Sequence, residues 1–93
     1  MITFQSASPE QETADKAVTE KLKNIILYND DVNTFDHVIE MLIVFCKHDF
    51  LQAEQCAYLV HHSGKCSVKN GTYEELELLC SNLLEKGLTA KIE

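Results

Sequence analysis

The chain has 93 residues, 45% hydrophobic and 25% charged, with a formal charge of -7 and an isoelectric point near 4.9. That length suits a single domain with a modest core, and the composition is globular rather than disordered. Net acidity argues against phosphate-backbone binding, which needs clustered Lys and Arg; no apolar run approaches a membrane span, and Met1 to Ser6 lacks the basic-then-apolar pattern of a secretory signal. A cytoplasmic monomer without nucleic-acid or membrane partners is expected.

Residues 1–22 are polar and weakly patterned, with Pro9 the only proline and Glu10, Glu12, Asp15 and Glu20 interspersed with Lys16 and Lys21. Such a segment buries too little apolar area to offset its ordering entropy, so a flexible N-terminal arm is expected ahead of a core domain over residues 23–93. Ile25-Ile26-Leu27-Tyr28 is short, β-favouring and apolar on both faces, as in a largely buried strand. The polar seam Asn29-Asp30-Asp31-Val32-Asn33 follows, and Asn33 or Thr34 can cap the next helix.

The first helix is predicted from Phe35 to Lys47, with Phe35, Val38, Ile39, Leu42, Phe45 and Cys46 on its core face. Met41, Ile43 and Val44 widen the apolar arc beyond one stripe. Asp49 with Gln52 has the form of a capping box and opens a second helix over Phe50 to His62. Ala53, Ala57, Val60 and His61 share one stripe of it, and Gly64 is placed to terminate it.

Lys65 to Lys69 alternates like a half-buried strand, and Asn70-Gly71 signals a turn. Thr72 with Glu75 is a second capping box, opening a third helix over Tyr73 to Lys86 with Leu76, Leu79, Cys80 and Leu83 on its buried face. After Gly87, the stretch Leu88 to Glu93 alternates again, with Leu88, Ala90 and Ile92 inward. The order is β-α-α-β-α-β. An α+β domain is expected, with a three-stranded antiparallel sheet and three helices packed on one face.

Cys46, Cys56, Cys66 and Cys80 form no Cys-x-x-Cys pair, and with His37, His48, His61 and His62 they match no zinc-site spacing. Reduced thiols and no metal or cofactor are expected. Catalysis lacks its parts: Cys46 and His48 diverge at a helix end, Ser63 has no base, and Asp30 and Asp31 are too close in sequence for a spaced acid/base pair. Binding fits better. If the polar seam meets the Ala57, Val60 and His61 stripe, carboxylate, amide and imidazole acceptors ring a small apolar pocket. That suits a ligand carrying a positive amine beside a hydrophobic side chain.

Leu27-Tyr28-Asn29-Asp30-Asp31, a helix opening with Phe35 and Val38, and Val60-His61-His62-Ser63-Gly64-Lys65 together resemble the ClpS family, adaptors of the Clp ATP-dependent protease. The resemblance runs from about residue 23 to 93, and the family has the β-α-α-β-α-β order read above. It implies an adaptor that binds N-degrons, substrates beginning with Leu, Phe, Tyr or Trp, and delivers them to a ClpA- or ClpC-type AAA+ unfoldase. By the family's pattern, Asn29, Asp31 and His61 would hold the α-amino group, with Asp30 beside them. Asn33 would contact the peptide backbone, and Phe35, Val38, Ala57, Val60 and Leu88 would line the side-chain pocket.

The resemblance further implies that the arm engages the unfoldase and that Glu74 docks on its N-domain. Phe35 and Ala57 stand where the family commonly has Met, and Leu79 stands where some members have a docking Lys. A smaller wall at Ala57 widens the pocket. The competing reading is a non-catalytic interaction domain that docks an unfoldase or another partner through a helix face, as in the similarly folded C-terminal domain of the ribosomal stalk protein. Asn29-Asp30-Asp31 with Val60-His61 argues against it, because a helix-face binder has no use for that cluster.

Overall fold

The computed structural model describes residues 21–93, so only the last two residues of the expected arm fall within the described residues. Strand β1 spans Leu22–Tyr28, helix α1 Phe35–Cys46 and helix α2 Phe50–Ser63. Strand β2 spans Lys65–Thr72, helix α3 Tyr73–Glu85 and strand β3 Thr89–Ile92. This is the expected β-α-α-β-α-β order. The sheet order is β2-β1-β3, with β1 central and antiparallel to both neighbours.

The central place of β1 explains its apolar character. Ile25 and Leu27 point into the helical layer and are 0% and 1% exposed. Ile26 and Tyr28 are half-buried on the other face, where the Tyr28 hydroxyl donates to the Glu93 carboxylate. β1 begins at Leu22, three residues before the apolar run expected from Ile25 to Tyr28, because Leu22 pairs with Thr72 at the end of a β2 longer than its alternation suggested.

Asn70-Gly71 does not turn the chain. Both residues continue β2, with Asn70 opposite Asn24 and Gly71 opposite Lys23. The pairing jumps from Ile25↔Lys69 to Ile26↔Ser67, so Val68 is the extra residue of a bulge. A Cβ at Gly71 would stand 2.7 Å from the Glu75 carboxylate, which accepts the Thr72 N–H at 2.8 Å. The glycine makes room for the cap of α3 instead of reversing the strand.

Each helix starts on the side chain of its N-cap. Thr34, rather than Asn33, accepts from the His37 N–H at 3.0 Å, and Asp49 accepts from the Gln52 N–H at 2.8 Å. The Thr72 and Glu75 box is reciprocal, as expected. Between α1 and α2, Lys47 takes a left-handed conformation with φ 61°. Next to it, His48 is buried and its Nε2–H donates to the Val68 carbonyl at 2.8 Å. A carbonyl only accepts, so this bond fixes the tautomer and pins the α1–α2 corner to β2.

Ile25, Leu27, Leu42, Cys46, Leu76 and Leu83 are the largest fully buried side chains of the core. Ile39 of α1 and Ala53, Ala57 and Val60 of α2 join them as expected, and Met41 is buried too. Phe35 departs from its expected core position and is 40% exposed, because it stands at the mouth of a cleft. All four cysteines are free; Cys46 and Cys80 are buried, and Cys56 and Cys66 half-buried. Among the described residues, no helix is long and apolar enough to cross a membrane.

Candidate functional site

The site forms where β1 runs out. Residues 29–34 must carry the chain from the sheet to the start of α1, and Asp30 organises them. Its Oδ1 accepts the N–H groups of Val32 and Asn33, each at 2.9 Å. Its Oδ2 accepts the Asn33 side-chain amide at 2.8 Å and the Thr89 hydroxyl at 3.0 Å. Partial burial pushes the Asp30 carboxyl up, but these four donors outweigh it and hold the group below its ordinary value. Asp30 therefore stays ionised as the brace of the loop.

Two corners of the fold clamp this loop from opposite sides. The Asn29 N–H donates to the Gly64 carbonyl at 2.9 Å. Gly64 ends α2 at φ 95°, a conformation L side chains rarely adopt, and its own N–H returns to the Val60 carbonyl at 3.0 Å. The turn that stops α2 thus carries Val60 and His61 to the side of Asn29. On the other side the Asn33 amide donates to the Gly87 carbonyl at 2.8 Å. The His37 Nε2–H donates to the Lys86 carbonyl at 3.1 Å. Both acceptors lie in the turn between α3 and β3.

The result is an open cleft of about 510 Å³, within the range of roughly 300–1,000 Å³ usual for small-ligand sites. Asn29, Asp30, Asp31, Asn33 and His61 supply its polar rim, and Phe35, Val38, Ala57 and Val60 its apolar wall. These are nine of the expected ligand-binding residues. The tenth, Leu88, is buried and lines a narrow recess of about 20 Å³ behind the cleft, shared with Asn29, Val38 and Val60. Glu74 lies away from the cleft, exposed in the first turn of α3.

The two neighbouring carboxylates differ in their freedom. Four donors, from Val32, Asn33 and Thr89, point at Asp30. Asp31 is exposed on the rim and takes no hydrogen bond from the described residues. His61 is also exposed; its ring stands edge-on to His62 with centroids 5.0 Å apart. The rim therefore offers an anionic oxygen, the Asn29 amide oxygen and an imidazole nitrogen around one opening, with an apolar wall below. That set can accept the hydrogens of an ammonium group while a hydrophobic side chain enters the wall.

The clamp residues His37, Gly64, Gly87 and Thr89 were not legible as site residues. Gly64 and Gly87 are visible in the sequence as helix stops, but their carbonyls become loop acceptors only through the tertiary fold. Nothing in the local pattern marks Thr89 as a partner of Asp30.

Comparison with known proteins points to one family. The family model for "ATP-dependent Clp protease adaptor protein ClpS" matches residues 18–91. An ATP-dependent Clp protease adapter protein ClpS from Shewanella pealeana is 39% identical over 59 residues, covering 58% of each chain. The protein of the same name from Thermosynechococcus vestitus is 36% identical over 66 residues, covering 70% of each. The chain spans 58% of the length of the Shewanella pealeana relative. The structure of Agrobacterium tumefaciens ClpS2 bound to L-phenylalaninamide superposes with a TM-score of 0.76 at 19% identity, covering 80% of this chain and 96% of that one. With a family model matched over most of its length, the chain belongs to the ClpS family of Clp protease adaptors.

Proposed function

We propose that the protein is a non-catalytic adaptor that binds polypeptides by a free, bulky hydrophobic N-terminal residue and hands them to the unfoldase of a Clp protease. The observation that carries this reading is the opposition, across one cleft, of an acceptor rim at Asn29, Asp31 and His61 and an apolar wall at Val38, Ala57 and Val60. The α-ammonium donates to the Asp31 carboxylate, the Asn29 amide oxygen and an imidazole nitrogen of His61. The first side chain packs on the wall, Phe35 closes the mouth, and Asn33 faces the peptide backbone. Asp30 acts through the loop it braces. The phenylalaninamide held by the Agrobacterium relative has the same two chemical features, an amine and an aromatic side chain.

In this reading Glu74 docks on a ClpA- or ClpC-type unfoldase, and the residues before β1 form the arm presented to it. The adaptor works as a cytoplasmic monomer. The test is a fluorescence titration with one Phe-initiated peptide, its amine either free or acetylated. Acetylation removes the charge and most of the donors, so the free form binds about tenfold tighter or more. Asp31→Ala and His61→Ala weaken the free form toward the acetylated one. Equal binding of both peptides by the wild-type protein would refute the reading.

A further inference from the structure

The outer face of α1 has apolar side chains that the core leaves exposed. Phe35, Ile43 and Val44 are 40%, 36% and 48% exposed, and Phe50, at the start of α2, is 58% exposed. With Ile39 they floor a groove of about 370 Å³ along the seam between α1 and α2. Its rim carries Asp36, Glu40 and Glu54 and, among the described residues, no Lys, Arg or His. Phe35 belongs both to this groove and to the mouth of the cleft, so the two surfaces are continuous.

We infer that this groove binds the third to sixth residues of the polypeptide whose first residue fills the cleft, and that it selects apolar side chains interleaved with Lys or Arg. The inference rests on the amine-reading function proposed above. From Phe35 to Val44 α1 rises about 14 Å, the reach of about four extended residues. A substrate leaving the cleft past Phe35 meets the Phe35, Ile39 and Ile43 stripe next. The three rim carboxylates set the charge of the occupant. They disfavour the chain's own first 20 residues, which hold four carboxylates against one lysine, and a second copy of a chain of net charge -7.

The test uses peptides with a free N-terminal Phe followed by Ser. Their next four residues are either Leu-Lys-Leu-Lys or Gly-Ser-Gly-Ser. Phenylalaninamide and its acetylated form are titrated in parallel, because they fill only the cleft. The apolar-basic tail is expected to bind about fivefold to tenfold tighter than the Gly-Ser tail. The double variant Glu40→Lys, Val44→Ser removes that advantage and leaves phenylalaninamide binding unchanged. Equal affinity of the two tails, with acetylation still costly for phenylalaninamide, overturns the groove and leaves the amine reading standing. A tail advantage that survives in the double variant overturns the assignment to this groove. So does a wild-type dimer in sedimentation that the double variant abolishes, which would put a second copy there. Equal binding of phenylalaninamide and its acetylated form overturns both readings together.

Discussion

Asp30 and Asp31 are adjacent in sequence, yet they are expected to respond to alanine in opposite ways. Asp30→Ala removes an acceptor from four donors at 2.8–3.0 Å. The Val32 N–H and the Thr89 hydroxyl sit in exposed positions and can turn to water. The two Asn33 donors are half-buried, one of them anchoring the loop beside the Gly87 carbonyl. At about 1 kcal/mol net for each bond not replaced by water, the variant loses about 2 kcal/mol of stability.

In a domain of this size that lowers the melting temperature by roughly 10 °C, and it lowers the urea midpoint by about 1–2 M. Urea unfolding followed by circular dichroism is the assay. Asp31→Ala, which removes no hydrogen bond among the described residues, unfolds within about 0.5 kcal/mol of wild type while losing the free-amine ligand. The Asp30 effect also has a pH signature. The folded-state pKa lies below the ordinary 3.8, so the group's contribution is complete above that value and is lost as pH falls through the folded pKa. The gap between wild type and Asp30→Ala closes in that acid window. A wild-type midpoint for Asp30→Ala at neutral pH, or an equal loss from Asp31→Ala, would refute the division of roles.

Three further outcomes are expected. Lys47→Gly relieves a left-handed conformation at the end of α1 and stabilises the protein by about 0.5–1 kcal/mol, seen as a raised urea midpoint. Ala57→Met fills part of the cleft wall; it should narrow the choice among N-terminal Leu, Phe, Tyr and Trp peptides without restoring binding to acetylated ones, which a competition titration checks. Burial pushes the Cys46 thiol up to about 11, and burial with the neighbouring Cys66 thiol pushes Cys56 up to about 12. Both stay protonated at neutral pH and should label slowly with a maleimide, faster only as pH approaches those values or as urea opens the fold.

Much of the fold was legible because its signals are local. Caps at Asp49 and Thr72, helix stops at Gly64 and Gly87, and the apolar periods of α1, α2 and α3 act over three to eight residues. A sequence displays such spacings directly. Asn70-Gly71 misled for a related reason. Its local meaning is a turn, but pairing with β1 and the room needed by Glu75 hold it in the strand. The nine cleft residues were legible as two motifs, each ordinary alone, and net acidity argued against nucleic acid as a partner.

What only the tertiary structure decided is how those motifs meet and which carboxylate does what. Asn29 reaches Gly64, Asn33 reaches Gly87 and Asp30 reaches Thr89 across 35, 54 and 59 positions of sequence. Bonds of that separation leave no periodic trace, because they depend on where β1 sits between β2 and β3. The same placement turns Phe35 out to the cleft mouth, leaves Leu88 behind it, and buries His48 against Val68. Residue types and spacing determined that a cluster of hydrogen-bond acceptors was available; the order of strands in the sheet decided that Asp30 would brace it and Asp31 would stand free on its rim.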